Sequence, residues 1–203
     1  RGRVLYQRYE DIDGWQTARL TGAPRYPAKP DATVRLQQLS APENVADSYG
    51  ARITGLLYPP VTGTYRMLFS SDDQGQLFLS AGRSAARKRL VAEAPEWIST
   101  PGDFTQFPQQ ESEEIQLTAG KGYYIEAVFK ENTGDDHCLI GWQRPDGKTE
   151  VPIPSEHIAP VWSAKPRQEF HTVYRGLQQR ITNVGNDVTA AVQSLRKMDA
   201  QRE

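Results

Sequence analysis

Two adjacent aspartates stand in the stretch SSDDQGQLFLS, residues 70–80, between two apolar runs that are typical of strands. Neighbouring residues of a regular strand point to opposite faces of the sheet, and two carboxylates that are held close together repel each other. Asp72 and Asp73 therefore form either an ordinary solvated turn or a pair that something positive holds together. The second interpretation predicts a cation site at this point of the chain.

The same pair argues against acid–base catalysis of the kind that glycoside hydrolases use. Those enzymes hold two carboxyl groups about 5–10 Å apart, and one of the two has a raised pKa. Adjacent aspartates that share a cation must both stay ionised, so neither can act as a general acid. The sequence also lacks a G-x-S-x-G elbow and a phosphate-binding glycine loop. We therefore expect no enzymatic activity from this chain. If it belongs to an enzyme, we expect it to be the part that holds the substrate.

Length and charge exclude several classes of partner. The 203 residues suffice for one large β domain with an appendage. Lys and Arg number 24 against 25 Asp and Glu, so there is no electrostatic reason to expect nucleic acid or a polybasic contact with a membrane. No apolar run approaches the ~18 residues of a membrane span. Cys138 is the single cysteine, which fits a cytosolic protein and also a bacterial surface protein that relies on metal ions.

Short β-like runs must position the aspartates. From about Val4 to Ile158 they alternate with Gly, Pro, Asn and Asp, at the spacing of an all-β sandwich. In the run GYYIEAVFKE, alternate residues from Tyr123 to Phe129 fall on one face of the strand. No helical period interrupts this region, which disfavours a parallel sheet. We therefore predict an antiparallel β-sandwich over residues 1–160, with strands at 51–58, 63–70, 75–80, 114–119, 122–131 and 138–144.

The pattern changes after Pro166, where apolar residues follow the 4-3-4-3 spacing of a heptad. This predicts an amphipathic helix over residues 170–203, joined to the sandwich by a linker over 161–169. The helix could dock on a β domain, self-associate as a coiled coil or stay disordered, and the sequence leaves these alternatives open. The heptad positions are Phe170, Tyr174, Leu177, Ile181, Val184, Val188, Ala191, Leu195 and Met198.

The β region resembles the PA-fourteen (protective-antigen-type) domain family, which occurs in yeast flocculins, bacterial adhesins and some glycosidases. The resemblance covers about residues 3–160 and does not reach the heptads. It implies an antiparallel β-sandwich, in agreement with the periodicity. The motifs that carry it recur in order as Tyr49-Gly50-Ala51-Arg52, the turn from Pro60 to Tyr65, Ser71-Asp72-Asp73, Ala119-Gly120-Lys121 leading into Tyr123-Tyr124-Ile125-Glu126, and Trp142-Gln143 before Pro145-Asp146-Gly147.

The resemblance also implies a role for the aspartate pair. In the lectin members of the family, two consecutive aspartates are joined by a cis peptide, and both bind one Ca²⁺ that in turn binds vicinal hydroxyls of a sugar. Those positions are Asp72 and Asp73 in this chain. Ca²⁺ takes about six to eight oxygen ligands in a loose geometry, so carboxylates, backbone carbonyls and sugar hydroxyls can share it.

Two carboxylates cannot complete such a shell, and the family implies that the loop after the YYIEA strand supplies more ligands. In this chain that loop is KENTGDDHC, residues 130–138. Asp135 and Asp136 are the candidate side chains and Asn132 is a weaker one, while a Gly-Asp turn between two strands is the alternative. The sequence does not determine which of these residues binds the metal.

Three further residues are candidates for ligand contact. His137 follows two acids, but a lone histidine is weak evidence for zinc. Gln143 either packs in the last strand or contacts a sugar. Trp97 lies in a Pro- and Gly-rich stretch, 93–112, of a kind that often lines a ligand rim, where it either stacks on a sugar or is buried.

Two functions remain after these exclusions. The first is a Ca²⁺-dependent carbohydrate-binding module, lectin- or adhesin-like, of a secreted or cell-surface bacterial protein. The second is a non-catalytic interaction head whose C-terminal helix, residues 170–203, mediates self-association or binds a partner protein. The resemblance places the chain outside the cell, on its surface or in the periplasm. The N-terminus has no apolar targeting segment, so we expect the chain to be processed or cut from a longer protein.

Overall fold

The computed structural model describes residues 2–161 and Val184. The predicted linker and C-terminal helix otherwise lie outside the described residues, so both stay predictions. In the described part of the chain, no helix is long and apolar enough to cross a membrane.

Strands are the main regular elements of the described chain. One short helix, α1 (Thr17–Thr21), follows the first strand, and three single turns of 3₁₀-helix lie at Ala85–Arg87, Pro108–Gln110 and Ser155–His157. The strands are β1 (Val4–Tyr9), β2 (Ala32–Leu36), β3 (Tyr49–Leu57), β4 (Gly63–Asp72), β5 (Gly75–Leu79), β6 (Arg89–Ala94), β7 (Ile115–Leu117), β8 (Tyr123–Glu131), β9 (His137–Gln143), β10 (Thr149–Glu150) and β11 (Ile158–Ala159).

These strands form two antiparallel sheets, as the sequence predicts. The larger has the order β2-β1-β3-β8-β5-β6, with β11 paired to β3, and the smaller has the order β10-β9-β4-β7. All six predicted strands are present, and the structure adds five more: β1, β2, β6, β10 and β11. The two at the edges of the larger sheet, β2 and β6, bury few of their side chains. An edge strand that is mostly exposed carries a weak alternation of hydrophobicity, which explains why pattern alone did not find them.

A continuous apolar core lies between the two sheets. Alternate residues of β8 enter it, from Tyr123 to Phe129, as the alternation predicts. The opposite face of β8 is buried as well, because Val128 packs with Tyr9 and Leu20 in a second cluster beneath α1. Burial on both faces makes β8 a rigid support for the loop that follows it.

A buried ion-pair network also fixes the outer face of the larger sheet. Glu126 of β8 accepts a hydrogen bond of 2.8 Å from the guanidinium of Arg52, and further bonds from the Lys88 ammonium and the Tyr124 hydroxyl. Burial by itself raises the pKa of Glu126, but these three donors more than offset that effect and hold it below its usual value. The Lys88 side chain therefore lies on the outer face of the larger sheet.

Both sheets bring a strand end to the same end of the sandwich. The β4–β9 ladder finishes at the pair Asp72 and His137, and the β3–β8 ladder finishes at the pair Tyr49 and Glu131. Gly75 begins β5 two residues after Asp73, and a Cβ there would lie 2.4 Å from the Ser71 hydroxyl oxygen. A glycine is therefore required for the chain to turn this tightly from one sheet to the other.

Candidate functional site

The aspartate pair lies where β4 leaves the smaller sheet. Asp72 is the last residue of β4, and the peptide that joins it to Asp73 is cis, as the resemblance implies. The backbone N–H of Asp73 donates to the Lys130 carbonyl at 2.7 Å, and the Ser71 hydroxyl donates to the Asp73 carbonyl at 2.6 Å. These bonds tie the pair to the end of β8 in the other sheet.

The charges of several carboxylates act on Asp72. Burial raises its pKa to about 6, and the charges of Asp73, Asp135 and Asp136 add to the effect. Burial also raises the pKa of Asp73, partly offset by the backbone N–H of Asn132, which donates to its Oδ2 at 2.8 Å, and by the charge of Lys130. The structure therefore brings the aspartate pair and the predicted loop acids into one electrostatic cluster.

Glu131 is a further member of this cluster that the sequence analysis missed. Its side chain is fully buried, and neither carboxylate oxygen has a hydrogen-bond partner among the described residues. Burial raises its pKa to about 8, and the charges of Asp73, Asp72 and Asp136 add to the effect. The sequence holds one signal for this residue, an acid that ends a strand directly before the candidate loop.

The neighbouring Lys130 does not neutralise Glu131 by direct pairing. Its ammonium donates to the backbone carbonyls of Tyr49 at 2.5 Å and of Glu131 at 2.7 Å. Burial lowers the pKa of Lys130 to about 8, against the raising effect of Asp73 and Glu131. The Lys130 ammonium thus supports the fold of the strand ends, and the carboxylate of Glu131 has no hydrogen-bond partner among the described residues.

The two loop acids differ in environment. Asp135 is exposed, whereas Asp136 is buried and accepts a hydrogen bond of 2.7 Å at Oδ2 from the backbone N–H of Val45. Asp136 Oδ1 has no partner in the described part of the chain. One oxygen of Asp136 is therefore engaged in holding the segment around Val45, and the carboxylate also interacts with the Tyr49 hydroxyl, whose pKa it helps to raise.

Asn132 joins the site to the N-terminal segment. Its side-chain oxygen accepts a hydrogen bond of 3.0 Å from the backbone N–H of Gly14. This contact brings Trp15, which is 41% exposed, to the rim of the cluster. Nothing in the sequence near Trp15 indicates this neighbour, because Gly14 and Asn132 are 118 positions apart in the chain.

Trp97 lies on a second loop at the same rim. The N–H of Ile98 donates to the carbonyl of Ser71 at 3.1 Å, so Trp97 is positioned beside the strand end that carries Asp72. Its side chain is 55% exposed, which fits the predicted contact role and not the alternative of a buried tryptophan. Two exposed indole rings therefore stand on loops that are bonded to the residues flanking the aspartate pair.

The remaining two candidates are placed differently. His137 is buried, and its Nε2 lies 2.9 Å from the Ser70 hydroxyl oxygen, while burial lowers its pKa to about 4. It is therefore neutral near pH 7 and already hydrogen-bonded. Gln143 pairs with Arg66 at the far end of β9, six positions from His137 and about 20 Å away along the strand. The structure does not bring Gln143 to this cluster.

The donor set fits a hard divalent cation. All of the acidic groups supply carboxylate oxygens, the ligands that Ca²⁺ prefers, and three of these oxygens are buried without a partner in the described residues. No three Asp, Glu, His or Cys side chains among those residues are close enough to hold a metal ion by themselves. A cation would therefore need a small number of carboxylates together with backbone or ligand oxygens.

Known structures share this fold. A PA14 sugar-binding domain from an RTX adhesin superposes with a TM-score of 0.59 at 16% identity, covering 78% of this chain and 98% of that one. The epithelial adhesin 6 A domain of Candida glabrata, solved in complex with Galβ1-3GlcNAc, gives a TM-score of 0.54 at 15% identity, covering 81% of this chain and 90% of that one. The PA14 structures that resemble this chain are mainly binding domains.

A mouse protein, N-acetyl-beta-glucosaminyl-glycoprotein 4-beta-N-acetylgalactosaminyltransferase 1, is 32% identical over 166 residues, which is 78% of this chain. The chain spans 16% of the length of that relative. The model of the PA14 domain family matches residues 15–156, which include all the acidic residues and both tryptophans of the cluster. Because this match extends over more than half of the sequence, the chain belongs to the PA14 domain family.

Proposed function

We propose that this domain is a Ca²⁺-dependent carbohydrate-binding module of an extracellular or cell-surface protein. The observation that carries the proposal is the placement of Asp72 and Asp73 at a strand end that is bonded to Lys130 and Asn132, where the buried Glu131 has no partner among the described residues. A cluster of like charges that is partly buried is unfavourable unless protons or a cation compensate it. A bound cation would compensate the negative charges of the cluster and would also provide a function.

In this proposal, Asp72 and Asp73 hold the Ca²⁺ directly, with one or more oxygens of the 131–137 loop. When bound, Ca²⁺ supplies open coordination positions for vicinal sugar hydroxyls. Glu131 lies behind the pair and contributes negative charge, whether or not it touches the ion. His137 orients Ser70 through their hydrogen bond and does not bind metal.

The exposed indoles of Trp15 and Trp97 give the site its apolar contacts. A pyranose ring carries C–H groups on one face, and an exposed indole offers a large flat apolar surface for them. Both tryptophans stand on loops bonded to residues next to the aspartate pair. A sugar held by its hydroxyls at the cation would therefore meet at least one of these rings.

Sugar binding by adhesin domains of the same fold supports this assignment. The Candida glabrata adhesin domain was solved with Galβ1-3GlcNAc, and the RTX adhesin domain is described as sugar-binding. We assign no catalytic step to the domain, since adjacent ionised aspartates cannot serve as a general acid. In a longer protein, such a module would hold a glycan, and several copies would raise a weak affinity by avidity.

The first test is calcium-dependent stability and glycan binding. With Ca²⁺ at about 100 times its Kd, linkage predicts about 2.7 kcal/mol of stabilisation, which is several degrees in Tm for a domain of this size. Thermal melting in Ca²⁺, in Mg²⁺ and in EDTA measures it, and a glycan array in the same three buffers measures sugar binding. A Tm that is identical in Ca²⁺ and EDTA contradicts the proposal.

Substitution of the tryptophans separates the sugar contact from the metal contact. Trp97→Ala and Trp15→Ala are each expected to keep the full Ca²⁺-linked rise in Tm. At least one of them should weaken binding of the best array glycan by about tenfold, which corresponds to about 1.4 kcal/mol. Val34→Ala, which removes an exposed apolar side chain from β2, serves as the control. Unchanged glycan affinity in both tryptophan variants would remove the stacking role.

A further inference from the structure

A second cavity lies between the open edges of the two sheets, where β7 ends the smaller sheet and β6 ends the larger. Its volume is about 470 Å³, within the ~300–1,000 Å³ typical of small-ligand pockets. β7 pairs with β4 at Gly63–Tyr65, whereas Asp72 stands seven positions further along β4. At about 3.3 Å per residue the cavity is more than 20 Å from the aspartate pair, and it is therefore a separate site.

The lining of this cavity is strongly cationic. Arg87, Arg89 and Lys121 all line it, and none of them forms an ion pair with another described residue. Glu114 also lines the cavity, but its carboxylate accepts a hydrogen bond of 3.0 Å from Arg66. Three cations thus share one cavity with one acid that is already paired, and the excess positive charge is uncompensated.

The strand geometry explains why the arginines gather here. Successive side chains at a strand alternate between its two faces. Lys88 is held on the outer face of the larger sheet by Glu126, so its neighbour Arg89 projects from the opposite face, towards β7. Arg87 ends the 3₁₀ turn just before this strand and lines the same cavity. The ion pair of Lys88 with Glu126 on the outer face therefore determines that Arg89 projects from the inner face.

Two hydroxyl groups in the lining are available as donors. Ser80 is 3% exposed, and its hydroxyl has no hydrogen-bond partner among the described residues. The Tyr123 hydroxyl accepts a bond of 2.8 Å from the backbone N–H of Thr118, and this leaves its own proton free to donate. The Lys121 ammonium lies 5.2 Å from the centroid of the Tyr123 ring, which holds that charge at the cavity.

We propose that this cavity binds the oxyanion group, a sulfate, phosphate or carboxylate, of a small ligand. Arginine and lysine form strong charge-assisted hydrogen bonds to such groups, and arginine can bind them with two parallel bonds. Ser80 and Tyr123 complete a set of donors, and the one carboxylate of the described lining, that of Glu114, is already paired with Arg66. Leu79, Ile115 and Leu117 supply apolar surface for the rest of the ligand. The site is independent of Ca²⁺.

Calorimetric titration in EDTA at low ionic strength tests the proposal, with sodium sulfate, inorganic phosphate and glucuronate as probes and glucose as the neutral match for glucuronate. We expect one-to-one binding of at least one anion and none of glucose. Arg87→Gln and Arg89→Gln are each expected to weaken that binding about tenfold, as loss of a charged hydrogen bond implies. Tighter binding of glucuronate than of sulfate would identify a sugar-borne carboxylate as the ligand, and the reverse order a free ion.

The control is Arg35→Gln, which removes the same charge from an exposed position on β2, at the opposite edge of the larger sheet. It should leave anion affinity unchanged, and so should the Asp72→Asn/Asp73→Asn variant, which lacks the proposed calcium site. Absence of binding by all three anions overturns the proposal. Equal weakening by Arg35→Gln and Arg89→Gln also overturns it, because the effect would then be one of net charge and not of this cavity.

Discussion

Replacing both Asp72 and Asp73 with asparagine is expected to abolish the Ca²⁺-linked rise in Tm and all calcium-dependent glycan binding. Loss of a single outer-shell partner of a metal ligand typically costs about 10- to 100-fold in affinity, so loss of two direct ligands should exceed about 100-fold. Both side chains keep their size, and the asparagines remove two carboxylates that repel each other and the loop acids. In EDTA the variant should therefore be at least as stable as the wild type.

The opposite signs of the two effects make this a strict test. A variant that merely misfolded would lose stability in EDTA as well as glycan binding. The matched control is Glu113→Gln/Glu114→Gln, which neutralises another adjacent pair of acids that is exposed and outside the cluster. Differential scanning fluorimetry with a Ca²⁺ titration reports both quantities. An undiminished calcium response in the aspartate variant, or its loss in the glutamate control, would exclude Asp72 and Asp73 as the ligands.

The second large effect is expected at Glu131, where pH and calcium act on the same carboxylate. The pKa of Glu131 is about 8 in the folded protein and about 4.5 in the unfolded chain, so between these values the folded state binds the extra proton. Stability without metal is therefore fully present at low pH and is lost as the pH rises towards 8. Asp72, with a pKa of about 6, adds to the loss in the lower part of this window.

The measurement is the free energy of unfolding in EDTA, from denaturant titrations between pH 6.5 and pH 8. His137 titrates below this range in the folded protein, and the lowered pKa of Lys130 opposes the loss mainly above pH 8. We expect a fall of roughly 1–2 kcal/mol in the wild type, given about 1.4 kcal/mol per unit of pKa shift. Saturating Ca²⁺ should remove most of the fall, because it favours the ionised cluster.

The substitution Glu131→Gln tests the predicted pH dependence at a single residue. The amide keeps the shape of the side chain and removes the group that must ionise, so the variant should lose most of the pH dependence in EDTA. Its affinity for Ca²⁺ should drop by about tenfold or more, since negative charge beside the aspartates is lost. Glu113→Gln again provides the control, as an exposed acid outside the cluster. If the free energy of unfolding of the variant in EDTA depends on pH as strongly as that of the wild type, Glu131 is not the titrating group.

The sequence by itself determined the fold class and the centre of the candidate site. Alternation in β8 predicted that Tyr123 to Phe129 enter the core, because the two-residue period of a strand is a local property. Asp72 and Asp73 were recognisable because they are adjacent in the chain, and the family resemblance implied that Asp135 and Asp136 belong with them. In the structure, the charges of Asp73, Asp135 and Asp136 all help to raise the pKa of Asp72.

The tertiary structure alone decided which distant residues join them. Trp15 reaches the rim through the bond between Gly14 and Asn132, Glu131 is buried beneath the pair, and Gln143 lies at the far end of β9. The cationic cavity likewise exists because β6 and β7 end their sheets side by side. A period of two tells which face of a strand is buried but carries no information on which strands are neighbours, and pairing between distant segments is set by the packing of the whole core.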